Sequence, residues 1–279
     1  MSNTCPPALP VAAVQMNVGQ SPEANLGQAA ALVAEAAAGG ARVVALPENV
    51  VFMGDSRVRQ SLAEPLDGPR ARSLEALAAQ HTVWLLVGGF PERSPVDARP
   101  YNTSFLVDPT GTRVAVYRKL HLFDVDLPDG RQIRESSYTL PGDVVVVTEI
   151  EGVSCGLSIC YDLRFPELYR AQSAAGARIL FVPSAFTVPT GEAHWHLLLR
   201  ARAVENQCFV VAPAQCGVHG ETGRSSYGHT LIVDPWGEIL AERATEPGVV
   251  RATLDFAGQD AVRARSPVLT HRRLALSSR

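Results

Sequence analysis

Apolar and polar positions along this chain switch between two periods, and the switches mark out its elements. Short, nearly unbroken apolar runs read as strands buried on both faces: Val11 to Met16, Ala41 to Pro47, Val83 to Gly89, Arg178 to Pro183 and Cys208 to Pro213. Helical stretches alternate with them. Ser21-Pro22-Glu23 supplies an N-cap, a proline at the first helical position and an acid in the first turn, and Gly39-Gly40 stops that helix. Further helices are expected from about Pro69 to His81, over Pro166 to Ala177 and from Gly191 to Asn206. Three pairs of strands read as hairpins: Thr103–Asp108 with Arg113–Arg118 around Asp108-Pro109-Thr110-Gly111, Val144–Ile150 with Val153–Ile159, and His229–Asp234 with Glu238–Arg243. Leu120 to Asp143 is polar and irregular, a length that in a compact domain signals function or disorder.

The order repeats. "GARVVALPE" (40–48) resembles "GARILFVPS" (176–184), and "FLVDPTG" (105–111) resembles "LIVDPWG" (231–237). Two similar α/β halves follow, each with an apolar sheet that needs cover on both faces. Helices cover one face, and packing sheet on sheet buries the other. The expectation is an α/β fold: one four-layer α-β-β-α sandwich of two pseudo-repeated halves. No linker-like stretch divides the halves, so residues 1–279 read as one domain with a core of about 9–273.

Composition narrows the class without naming it. With 46% hydrophobic and 19% charged residues, the chain is ordinary globular protein. A net charge of −3 gives no sign of a nucleic-acid or membrane-surface partner, and no apolar run is long enough to span a bilayer. The start, "MSNTCPPALP", reads as a short disordered lead-in rather than a secretory signal. Five scattered cysteines without an export signal point to free thiols and a reducing cytoplasm. His194 and His196 lie two apart on an expected helix, a spacing that points them to different sides and suits no metal.

Candidate chemistry centres on "GLSICYDLRFPEL" (156–168). Strand alternation puts Val153, Cys155, Leu157 and Ile159 on one apolar face, and Ser154, Gly156, Ser158 and Cys160 on the other. Cys155 reads as a core thiol. Cys160 ends the opposite set at a strand-to-helix junction, whose N–H groups and positive helix end favour a thiolate and a developing oxyanion. It is either an inert buried thiol or a nucleophile. Ser158 lacks the turn position that a serine nucleophile requires. For a base, His121 offers a Cys–His pair. Glu48 and Lys119, each straight after an apolar strand, offer a carboxylate base and a cation for an oxyanion, unless they are merely solvated surface.

These residues carry a resemblance. "LPEN" with Glu48, "YRKLHLFD" with Lys119 and "CYDLRFPEL" with Cys160 resemble the Glu–Lys–Cys motifs of the nitrilase superfamily of carbon–nitrogen hydrolases, over nearly the whole chain. "AQCG" and "SSYGH" resemble its Nit branch, on the side of the deaminated-glutathione amidases rather than the omega-amidases. The resemblance implies the α-β-β-α sandwich and assembly into homodimers or larger homo-oligomers. It also implies hydrolysis of a small 2-oxoglutarate-type amide through a cysteinyl thioester, with neither metal nor organic cofactor. Under it Cys160 is the nucleophile, Glu48 the base, and Lys119 with the backbone N–H of Tyr161 the oxyanion donors. Glu135, in "RESS", matches the branch's second glutamate. Arg164 and Thr190 are candidates to hold a substrate carboxylate. The tail "SPVLTHRRLALSSR" keeps the family's "HRR" and then departs. Omega-amidase, carbamoylase, true nitrilase and a non-catalytic binding protein on the same fold remain the competing readings.

Overall fold

A computed structural model describes residues 6–126, 130, 132–220 and 223–274. Residues 1–5 of the expected lead-in, four positions of the long loop (127–129 and 131), and the end of the tail from 275 lie outside the described residues; the lead-in is shorter than expected, because Ala8, Leu9 and Pro10 already pair in a strand, with Leu9 fully buried.

Two six-stranded sheets form the centre. The first contains β1 (Ala8–Gln15), β2 (Val43–Ala45), β3 (Trp84–Glu92), β4 (Tyr101–Val107), β5 (Arg113–Arg118) and β16 (Gly248–Asp255), in the order β16-β1-β2-β3-β4-β5. The second contains β8 (Val147–Ile150), β9 (Val153–Leu157), β10 (Ile179–Phe181), β11 (Phe209–Ala212), β14 (Thr230–Val233) and β15 (Ile239–Arg243), in the order β8-β9-β10-β11-β14-β15. Each sheet has three parallel strands at its centre, an antiparallel strand on one side and an antiparallel hairpin on the other. The repeat read in the sequence is therefore a repeat of topology. Two short ribbons complete the strands: β6 (Asp124–Asp126) with β7 (Gln132–Arg134), and β12 (Cys216–Val218) with β13 (Ser225–Tyr227).

Strand alternation sorts the first sheet's side chains into two layers. Leu9, Val11, Ala13, Val43, Ala45, Leu86, Leu106 and Tyr117 join the second sheet's residues in one core. Ala12, Val14, Val44, Leu85, Val87, Phe105 and Val107 meet Ala29, Val33 and Ala36 of α1 (Pro22–Ala38), and Ala71, Leu74 and Ala78 of α3 (Pro69–His81). The first core continues into α4 (Pro166–Ala174) and α5 (Val188–Asn206). This is the expected helix–sheet–sheet–helix sandwich. α1 starts where the sequence places it, with the Ser21 hydroxyl accepting from Ala24 N.

Besides the two short ribbons, α2 (Ser56–Ser61), β16 and α6 (Phe256–Arg265) escaped the sequence reading. α2 is less than two turns long and has no fully buried residue, so it carries no periodic signal. β16 is an edge strand whose pairing partner, β1, lies over two hundred residues away. α6 starts on an Asp255 cap. α5 also begins three residues earlier than expected, which puts Thr190 in its first turn rather than in a loop.

Candidate active site

Glu48 follows β2, Lys119 follows β5 and Cys160 follows β9, and all three line one cavity of about 390 Å³. The site thus sits outside strand ends, where open α/β sheets tend to hold ligands. The two halves are stitched together there. Gln215, after β11, donates to the Glu48 carbonyl (2.8 Å) and accepts from Val18 N (3.1 Å).

Lys119 is 2% exposed, so its charge must be matched by the protein. Its Nζ donates to Glu48 Oε1 (3.1 Å) and to Glu135 Oε2 (2.8 Å). Burial pulls the ammonium towards the neutral form. The carboxylates of Glu135 and then Glu48 outweigh that pull, and Lys119 stays a cation, its pKa held well above the usual lysine value. Glu48 Oε1 also accepts from Asn102 Nδ2 (2.8 Å), a partner the sequence reading missed. Glu135 is buried at the start of a single 3₁₀ turn, Glu135–Ser137, and also accepts from Phe123 N (2.7 Å), so it is no solvated loop acid.

Cys160 opens a second 3₁₀ turn, Cys160–Arg164, at φ +49°, a left-handed conformation that non-glycine residues rarely adopt. Its N–H donates to Pro183 O (2.9 Å). The turn is clamped by buried Asp162, whose carboxylate accepts from Tyr117 Oη (2.6 Å), Ile159 N (2.8 Å) and His121 N (3.0 Å), and bonds His121 Nδ1 (2.7 Å).

The expectation of a thiolate at this junction is corrected. Burial first, and the Glu48 carboxylate second, push the Cys160 thiol well above the usual cysteine range. Lys119 and a backbone hydrogen bond from Ala185 pull the other way without prevailing. A five-residue 3₁₀ turn has too few aligned peptides to offset the burial. The resting group is a thiol beside a carboxylate able to accept its proton.

The structure does not place His121 on the cavity lining. It bonds Asp162 and stacks on Phe165 at 3.7 Å between centroids. Ser158 is fully buried between Tyr169 Oη (2.9 Å) and Phe181 O (2.8 Å), and Cys155 is fully buried in β9. Tyr161 and Thr190 line the cavity, and Thr190 Oγ1 bonds Thr187 Oγ1 (2.8 Å). Arg164 does not line it. Its guanidinium lies over the rings of Tyr161 (5.8 Å) and Phe186 (5.7 Å), both of which do, and 3.4 Å from His194 Nδ1. Arg59, Tyr138 and Arg224 also line the cavity. The sequence reading singled out none of the three.

His196 meets residues distant in sequence rather than His194. Its Nε2 and His229 Nδ1 both bond Glu242 Oε1, at 2.9 and 2.5 Å, tying α5 to the β14–β15 hairpin. These three side chains are the group among the described residues whose geometry could admit a metal ion.

A cysteine, a carboxylate and a lysine converging at the edge of a four-layer sandwich is the arrangement of an enzyme that cleaves carbon–nitrogen bonds. The chain belongs to the carbon–nitrogen hydrolase family, whose sequence profile matches residues 10–264. It is a hydrolase of amide C–N bonds. It is 43% identical over 265 residues to a deaminated glutathione amidase of Synechocystis sp., covering 94% of this chain and 97% of that one. It is also 43% identical over 279 residues to the Mus musculus deaminated glutathione amidase, with 98% and 86% covered. Among solved structures, Saccharomyces cerevisiae Nit3, a member of branch 10 of the nitrilase superfamily, superposes with a TM-score of 0.86 at 31% identity, over 96% of this chain and 97% of that one. The C. elegans NitFhit protein gives a TM-score of 0.92 at 37% identity, over 99% of this chain and 69% of that one.

Proposed function

We propose that this protein is a deaminated glutathione amidase that hydrolyses its substrate to 2-oxoglutarate and cysteinylglycine. The observation that carries the chemistry is the juxtaposition of a buried Glu48–Lys119–Glu135 network with Cys160 on one cavity wall. The 43% identity to curated amidases supports the substrate.

Glu48 takes the Cys160 proton as sulfur attacks the amide carbonyl. Lys119 and the backbone N–H of Tyr161 stabilise the oxyanion, where one donor is typically worth about 3–4 kcal/mol. Glu48 returns the proton to the departing amine, because an unprotonated amine leaves poorly. A thioester remains on Cys160. Glu48 then deprotonates water, which attacks the thioester; the thiol is regenerated and 2-oxoglutarate is released. Glu135 fixes Lys119 in place. Thr190 on the cavity wall is assigned to a substrate carboxylate, and so is Arg164, which has no carboxylate partner among the described residues and reaches the cavity only by swinging past the Tyr161 and Phe186 rings.

The whole chain acts as one domain in the cytoplasm, as a homodimer or larger homo-oligomer. The exposed apolar side chains Leu197 and Val204 of α5 and Trp236 support such an assembly. No described helix is long and apolar enough to cross a membrane.

The test is a panel of amides assayed with the wild type and with Cys160→Ala. Deaminated glutathione should be the preferred substrate over 2-oxoglutaramate and simple nitriles. Cys160→Ala should be inactive, and Cys155→Ala should lose mainly stability. Preference for 2-oxoglutaramate would overturn the substrate, and an active Cys160→Ala would overturn the mechanism.

A further inference from the structure

Arg59 enters the cavity wall from α2. Its Nη1 donates to Asn49 Oδ1. Its Nε and Nη2 are buried and have no acceptor. Buried guanidinium donors are nearly always paired, so two left open call for an explanation. Nε and one terminal nitrogen are also the edge of a guanidinium that takes both oxygens of a carboxylate at once.

The location says which carboxylate. Asn49 directly follows Glu48 and stands at φ +60°, so Arg59 is tied to the wall that carries the proposed acid. That acid protonates the departing nitrogen, so the amine half of the substrate must lie on its side. Arg164, by contrast, follows Cys160. Arg224 joins the Glu48 wall through a hydrogen bond from Nη1 to Gly54 O (3.2 Å). The Tyr138 hydroxyl lies within electrostatic range of Arg59, Arg224, Glu135 and Lys119, which sets these groups around one space. Among the described residues, the cations Arg59, Lys119 and Arg224 and the carboxylates Glu48 and Glu135 line the cavity. Lys119 is already bonded to both carboxylates. Arg59 is the cation on that wall whose Nε and Nη2 are left open.

We infer that Arg59, on the cavity wall that Arg224 also lines, forms a subsite for the terminal carboxylate of the leaving amine, the glycine end of cysteinylglycine. This assignment rests on the proposed substrate and extends it: an amide whose amine half ends in a carboxylate is selected over one that releases ammonia or a neutral amine.

The experiment is calorimetric titration of Cys160→Ala protein with deaminated glutathione and with the analogue whose glycine carboxylate is a carboxamide. Both titrations are repeated with Arg59→Met added. With Arg59 present, the acid should bind about thirtyfold more tightly than the carboxamide, the scale expected of a charge-assisted bidentate pair. With Arg59→Met that preference should vanish, and Arg59→Lys should restore only part of it, since lysine keeps charge but not the fork. Arg59→Lys also decides the matter if Arg59→Met does not fold. A preference that survives Arg59→Met, no preference with Arg59 present, or no binding of either compound overturns the subsite. Carboxylate-dependent binding to an enzyme that fails to hydrolyse deaminated glutathione would overturn the proposed reaction and leave the subsite standing.

Discussion

Glu135 Oε2 lies 2.8 Å from Lys119 Nζ and 2.7 Å from Phe123 N, so one loop carboxylate fixes both the buried cation and the chain leading out of β5. Glu135→Gln keeps the shape and removes the charge. Lys119 then has Glu48 as its single carboxylate partner, and Glu48 is held more tightly as a counter-ion and less free to move protons. The rate should fall by about a hundredfold, the lower end of general acid–base contributions, with a smaller change in KM. Steady-state kinetics beside a thermal melt check this. An unchanged kcat would leave Glu135 a purely structural loop anchor.

The Cys160 thiol makes a pH prediction with a definite sign. Burial and the Glu48 carboxylate both raise its pKa, so the neutral thiol dominates at neutral pH and labelling by iodoacetamide should rise only above the ordinary cysteine range. Glu48→Gln removes the like charge, so the pH of half-maximal labelling should move down. Turnover in the same variant should drop by about a hundredfold or more, because the base is gone. Labelling and turnover thus move in opposite directions. A labelling midpoint that moves up in Glu48→Gln would contradict this arrangement of charges.

Asp162 shapes the nucleophile's turn without lining the cavity. It is fully buried and receives three protein donors besides His121 Nδ1. Asp162→Ala leaves the Tyr117 hydroxyl and the backbone N–H groups of Ile159 and His121 without an acceptor, which should destabilise the fold by about 3 kcal/mol or more. Asp162→Asn retains an acceptor and should cost less. Chemical denaturation of both variants measures the difference, and equal stabilities would show that the carboxylate is not what holds the turn.

What the sequence made legible follows from range. Cys160, Glu48 and Lys119 each end an apolar strand, so a local pattern located them, and the repeated "GARVVALPE" and "GARILFVPS" segments exposed the pairing of the two sheets. Asn102 and Asp162 were not legible because their roles are made by contacts across tens of residues: Asn102 meets Glu48 over 54 positions, and Tyr117 meets Asp162 over 45. The thiolate expectation went wrong for a related reason. Secondary structure at Cys160 could be guessed locally, whereas its burial beside Glu48 is a property of the assembled sandwich.

Gly89 tests how closely the backbone behind Glu48 must approach. It lies in β3, where the register with β4 shifts between Val87 and Phe90. A Cβ added there would sit 2.9 Å from Asn49 N, 3.0 Å from Glu48 Cα and 3.0 Å from Asn102 Oδ1. Two of these neighbours are backbone and cannot swing aside. The third belongs to Asn102, whose Nδ2 donates to the Glu48 carboxylate. Gly89→Ala must therefore push Glu48 off its position from two directions. A displacement near 1 Å in a catalytic group costs about a hundredfold in rate, so kcat should fall by that order while the protein still folds. Gly27→Ala is the control, because it lies in α1 with nothing within 4 Å of the new methyl, and there alanine should raise stability by roughly 0.5–1 kcal/mol. Rates and melting curves for both variants separate the two effects. If Gly89→Ala were as active as the wild type, the packing behind Glu48 would be looser than these contacts require.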